Sequence, residues 1–123
     1  MHLNALLVSL ALTVLPISSQ AAELLMVERH GCHWCDRWNA EIAPIYPKTT
    51  ESARAPLRRA QINDLPPDIT FTSRPVFTPT FVLIDEGREL GRIEGYAGDE
   101  FFWFTLTRLL DQHPEATAPQ TSN

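Results

Sequence analysis

The sequence predicts a small α/β domain, a central mixed four-stranded sheet flanked by helices, and three observations carry that prediction. The chain's two cysteines, Cys32 and Cys35, follow an apolar run directly and stand at the start of a helical pattern, which marks a strand feeding a helix. Thr80 to Asp85 is the clearest strand, and the Glu86-Gly87 turn leads from it into an alternating segment, as in a β-hairpin. From Asp99 onward Phe102, Leu106, Leu109 and Leu110 fall on one helical face, with Trp103 widening it.

In chain order, Leu3 to Leu15 is mostly Leu, Val and Ala, and Pro16 and a run of small or polar residues follow. That shape predicts a secretory signal peptide over 1–21, cleaved after Ala21, with Ser19 and Ala21 as the small residues before the cut. Its n-region departs from the usual pattern in having no Lys or Arg. An uncleaved anchor is the alternative, but an apolar run of roughly a dozen residues is short of the roughly 20 that a spanning helix needs.

The domain itself is expected over 22–112. Glu23 to Glu28 reads as a buried strand, and Cys35, Trp38, Ile42 and Ile45 then form the apolar stripe of a helix interrupted near Pro44 and Pro47. Thr49-Thr50-Glu51 offers a cap for a short helix, and Arg58 to Ile62 reads as a second strand. Asp64 to Pro75, with Pro66-Pro67, reads as a loop. The hairpin spans Thr80 to Glu94, and Asp99 is expected to cap the last helix. Phe101 and Phe104 fall off the main stripe of that helix, which leaves a partner-binding face as an alternative to simple packing on the sheet. Residues 113–123 lack an apolar pattern and read as a disordered tail. The order strand, helix, strand, hairpin, helix is a right-handed βαβ unit with an appended hairpin and a closing helix.

A chain of 123 residues with 44% hydrophobic content builds one domain with one core. Its formal net charge of −5 and scattered Lys and Arg exclude a nucleic-acid footprint and leave protein or small-molecule partners. Export would place the cysteines where disulfides persist.

Cys-x-x-Cys closes too short a loop to serve well as a structural staple, so the pair suits a bond that is made and broken. At a helix N-terminus Cys32 is exposed and its thiolate is stabilised, which makes it the attacking sulfur; Cys35, turned inward and half buried, is the resolving thiol. His33 between them, and His30 nearby, can add positive charge or a hydrogen bond to the thiolate. A metal site for Cu(I) or Zn(II) on Cys32, Cys35, His30 and His33 is the rival chemistry, although structural zinc draws a second ligand pair from elsewhere and none is evident. Covalent haem attachment needs His after the second Cys, where this chain has Asp36. Pro79, between Thr78 and Thr80, reads locally as the start of a strand, with a cis bond presenting Thr78 to an incoming peptide as the alternative.

The strand before Cys32-His33-Trp34-Cys35, the Thr78-Pro79-Thr80 step into Phe81 to Asp85, the Glu86-Gly87 turn and the Gly95-Tyr96 pair together resemble the thioredoxin superfamily over Leu24 to Leu110. The resemblance implies a thioredoxin-like fold and a thiol–disulfide oxidoreductase with no cofactor beyond its redox-active disulfide. It also implies Cys32 as nucleophile, Cys35 as resolving thiol, and Thr78 with a cis Pro79 facing the substrate. The runs Trp38 to Pro44, Ala55 to Arg59 and Phe77 to Tyr96 resemble more narrowly the periplasmic thioredoxins of the bacterial sulfur-oxidation (Sox) system. That likeness implies a periplasmic reductase for the Sox sulfur-carrier protein, supplied with electrons by a membrane thiol transporter. The family's buried Asp, six residues before the first Cys, is here Met26, so Glu28 on the same strand face is the candidate replacement. His33-Trp34 also replaces the usual Gly-Pro pair, so His33, Trp34 and Glu28 are the residues expected to tune the couple, and oxidant or isomerase chemistry stays open beside reduction.

Overall fold

The computed structural model describes residues 11–14 and 22–116. The expected signal peptide therefore falls outside the described residues except for 11–14, as does 117–123 of the expected tail. Of the remaining tail, Ala116 is buried in the main core, its N–H bonded to the His113 carbonyl at 3.0 Å.

Strand β1 (Glu23–Glu28) is buried along its four central residues, as an apolar run with no alternation requires of an inner strand. Helix α1 (His33–Glu41) follows, then a single 3₁₀ turn over Tyr46–Lys48 and the short α2 (Thr50–Arg54). Thr49 caps α2 as the sequence predicts, its hydroxyl accepting the Ser52 N–H at 3.1 Å. Strand β2 (Leu57–Gln61), the hairpin β3 (Thr80–Asp85) and β4 (Arg88–Glu94), and α3 (Asp99–Asp111) complete the elements of the described residues. The hairpin turn places Glu86 at φ +50° and Gly87 at φ +74°, the pair of left-handed residues that suits a two-residue connection between twisted strands.

The sheet order is β2-β1-β3-β4, with β1 parallel to β2 and the other neighbours antiparallel. Register places Leu24 and Met26 of β1 beside Leu83 and Phe81 of β3, and these side chains share one face with Trp38, Ile42, Tyr46, Phe102, Leu106 and Leu110. Leu25 lies beside Val82 on the opposite face, where Val27 and Ile84 join Ile69 in a second, smaller cluster. The helices that flank the sheet thus pack on its first face, and the helix-free segment 62–79 between β2 and β3 supplies the cover for the second.

Two expectations are corrected. Ile45 is 46% exposed and leaves the apolar stripe, because α1 ends at Glu41 and Pro44 cannot continue it. Gly98, not Asp99, occupies the cap position of α3; Asp99 is the first helical residue, and its carboxylate accepts the Glu100 N–H at 2.8 Å.

Candidate active site

Beyond Glu28 the chain turns through Arg29, His30 and Gly31, the last at φ +74°, and enters α1 at Cys32. Cys32 is the N-cap of the helix, in extended backbone conformation, and its Sγ accepts the Cys35 N–H at 3.1 Å. Sulfur therefore takes the position that a hydroxyl or carboxylate oxygen usually fills, at the end of the helix where free N–H groups and the dipole favour negative charge. Cys32 and Cys35 are joined by a disulfide, with their Cα atoms 5.2 Å apart.

An exposed Cys32 beside a half-buried Cys35 is not what the structure has. Cys32 is 5% and Cys35 1% exposed, and both belong to the main core cluster. The cap geometry folds the Cys32 side chain back over its own first turn, toward the sulfur it bonds.

The residues between the cysteines stand outside. Trp34 is 47% exposed, and its ring and that of His33 lie in a T-shaped arrangement with centroids 5.1 Å apart. His30 is exposed as well. Among the described residues no group of three or more His, Cys, Asp or Glu side chains is placed to hold a metal ion, so Cys32, Cys35, His30 and His33 do not assemble the site that the rival reading requires.

Thr78–Pro79 is a cis peptide bond, with Pro79 buried and Thr78 half-buried. The Pro79 carbonyl accepts the Gly95 N–H at 2.8 Å, and the Thr80 hydroxyl donates to the Phe77 carbonyl at 2.7 Å. Register sets Thr80 beside Val27, one residue before β1 ends, so Thr78 and Pro79 enter the sheet at the same end from which the cysteine loop leaves. Just before them Val76 and Phe77 are 66% and 59% exposed.

Glu28 does lie on the face of Met26, as alternation predicts, but it is already engaged. Its carboxylate accepts from Arg59 at 2.7 Å and from Asn39 Nδ2 at 3.4 Å. Arg59 also donates to the side-chain Oδ1 of Asn39 at 2.8 Å and reaches Met26 Sδ at 3.4 Å, with its guanidinium carbon 5.8 Å from the Trp38 ring centre. Glu28, Asn39 and Arg59 line, with Ala43, Ala60 and Gln61, an open cleft of about 470 Å³ beside β2, so in place of a lone buried acid the chain has a paired carboxylate and guanidinium at the edge of the sheet.

One set of residues escaped the sequence reading. On the outer face of α1, Arg37 donates to Glu41 Oε1 through Nε at 3.1 Å and Nη2 at 2.8 Å, and its guanidinium carbon lies 5.4 Å from the Trp34 ring centre. Tyr96, from the loop after β4, donates its hydroxyl proton to Glu41 Oε2. The Tyr96 hydrogen bond and then Arg37 hold the Glu41 carboxyl below its ordinary range, whereas burial and the bond to Glu41 push the Tyr96 hydroxyl up. The spacing of Trp34, Arg37 and Glu41 at three and four residues was a legible signal. The contact with Tyr96, 55 residues away in sequence, was not.

Comparison with known proteins fits this geometry. The chain is similar to a solved structure of the periplasmic thioredoxin SoxS from Paracoccus pantotrophus in its reduced form, at 51% identity and a TM-score of 0.72, covering 74% of this chain and 97% of that one. It also resembles the X-ray structure of Fasciola hepatica thioredoxin, at 17% identity and a TM-score of 0.51 over 73% of this chain and 82% of that one, a likeness of fold. No family model matches the chain, and no curated protein sequence does.

Proposed function

The chain belongs to the thioredoxin superfamily, and on that premise we propose that Cys32 is its attacking sulfur, Cys35 its resolving thiol, and reduction of a periplasmic protein disulfide its task. It is a thiol–disulfide oxidoreductase whose redox group is the cysteine pair itself, with no cofactor. The observation that carries the assignment of roles is the cap: the Cys35 N–H that meets Cys32 Sγ in the disulfide would equally hold a Cys32 thiolate, and the helix end adds its positive field.

In the reducing direction the Cys32 thiolate attacks one sulfur of the substrate disulfide, and the other substrate sulfur leaves as a thiolate. Cys35, deprotonated, then attacks Cys32 Sγ, forming the Cys32–Cys35 disulfide and releasing the first substrate sulfur; two electrons pass from the dithiol to the substrate. Thr78 and Pro79 form the second wall, with the Thr78 backbone open to pairing with an extended peptide. His33 and Trp34, which stand at the mouth, and Glu28, paired with Arg59, set the stability of the thiolate and the fate of the Cys35 proton.

The periplasmic setting rests on the similarity to a periplasmic thioredoxin and on the signal-like residues 1–21. The proposal takes the Sox sulfur-carrier protein as substrate, with the similarity to SoxS as its support, and a membrane thiol transporter as electron donor, because a reductant outside the cytosol needs its electrons delivered across the membrane. The test of the roles is a trapping experiment with insulin as protein disulfide. Cys35→Ser is expected to accumulate a mixed disulfide through Cys32 and Cys32→Ser to accumulate none. An adduct formed by Cys32→Ser alone would exchange the two roles.

A further inference from the structure

We propose that Tyr96, Glu41 and Arg37 form a positioning chain that holds Trp34 as a fixed wall of the dithiol site, favouring protein disulfides with an adjacent apolar side chain over small ones. The inference rests on the reading of Cys32–Cys35 as the reacting pair and adds residues that this reading leaves unused.

The chain starts from a rigid point. Tyr96 is buried, its ring packed edge-on against Phe102 with centroids 6.3 Å apart. Its hydroxyl holds one oxygen of Glu41, and the other oxygen accepts both forked N–H groups of Arg37. A guanidinium fixed in this two-pronged way has its plane and position set, which a lysine's single point of charge would not achieve. The end of the chain is the cation over the Trp34 ring, while the His33 ring meets that ring in a T-shaped contact as well.

The anchoring segment serves both walls of the site. Gly95 donates its N–H to the Pro79 carbonyl, and Tyr96, the next residue, reaches Glu41. Two adjacent residues after β4 thus register the Thr78–Pro79 wall against the Trp34 wall.

The placement argues against a purely stabilising role. Arg37 and Glu41 side chains remain 45% and 36% exposed, and ion pairs in such settings contribute little to folding. What the chain does restrict is the large exposed ring between the cysteines. A free tryptophan would lose rotamer freedom when a partner docks on it, whereas a ring already held gives that contact without the entropic loss. A small disulfide that reaches the sulfurs without covering Trp34 gains nothing from the restraint.

The test is a double-mutant cycle on the reduced full chain, measuring second-order rate constants for its oxidation by insulin and by oxidised glutathione through quenching and alkylation of the remaining thiols. Arg37→Gln and Tyr96→Phe are each expected to lower the insulin rate constant relative to the glutathione one by about 3- to 10-fold. In a Trp34→Ala background Arg37→Gln is expected to change that ratio by less than about twofold, because the residue on which it acts is gone. An unchanged ratio in the single variants, or the same fall with and without Trp34, would overturn the proposal. Cys32→Ser separates this failure from failure of the underlying reading: if it is oxidised as fast as the unaltered chain, the reacting pair itself is misassigned.

Discussion

On one face of the sheet Leu24, Met26, Phe81 and Leu83 lie under α1 and α3; on the other Leu25, Val27, Val82 and Ile84 lie under irregular chain between β2 and β3. The strand residues are equally buried on both faces, so the difference is in the cover. Under the helices Trp38 packs against Phe81, Phe102 and Tyr46 with ring centres 5.1 to 6.3 Å apart, and Trp103 stacks on Tyr46. Under the loop the apolar contribution comes from Ile69 with partly buried Ile62, Leu65 and Phe71, and polar bonds pin the segment. Thr70 exchanges backbone bonds with Gly87 and Glu89, Asp68 takes both prongs of Arg58, and Arg74 and Arg92 donate to the Ile62 and Ser73 carbonyls. The comparison teaches that buried strands need a cover but not a helical one, and that the chemistry sits where a helix is available to bring its N-terminus to the end of β1.

If the two covers differ in this way, truncations on the two faces should separate. The largest effect is expected from Phe81→Ala or Phe102→Ala, each removing a ring from the aromatic stack and costing about 3 to 5 kcal/mol in chemical denaturation. On the other face Val82→Ala deletes less and faces a cover able to settle, so about 2 kcal/mol is expected, with the rate of insulin oxidation of the dithiol unchanged. Equal losses on the two faces would erase the distinction. Ile69→Ala sharpens it further: about 1 to 2 kcal/mol, with limited proteolysis cutting first between residues 62 and 75.

A smaller effect belongs to the edge of the helix-covered face. A Cβ added at Gly91 would lie 2.6 Å from Leu109 Cδ1, so Gly91→Ala forces that methyl group to turn aside, and about 1 kcal/mol is expected by the same denaturation measurement.

The smallest is a pH effect. The Glu41 carboxyl is held below its ordinary value of 4.5 by Tyr96 and Arg37, so its contribution is present above that value and is lost as pH falls through the lower folded-state one. The Trp34 indole resonance, followed by NMR on acidification, should move in that acid window, and Glu41→Gln should abolish the movement.

Elements set by local pattern were legible in the sequence. β1, β3, the Glu86-Gly87 turn, β4 and the Thr49 cap stand where apolar runs, left-handed turn residues and a cap hydroxyl put them. The cysteine pair at the start of α1 was legible for the same reason. Less legible were features fixed by contacts between distant segments. Ile45 continues the helical period but leaves the helix, and Cys32 is covered although a helix tip suggests exposure. Glu28 reads as a candidate replacement for the family's buried acid until β2 brings Arg59 to it. Nothing local to Gly95-Tyr96 signals that this pair binds both Pro79 and Glu41.

The central claim is that the Cys32–Cys35 couple works as a reductant of protein disulfides, and its equilibrium potential against glutathione tests that most directly. The account predicts a value well below −200 mV, toward the range of reducing dithiols, with the dithiol donating electrons to insulin at that poise; a value near that of the strong oxidants, about −120 mV, would contradict it.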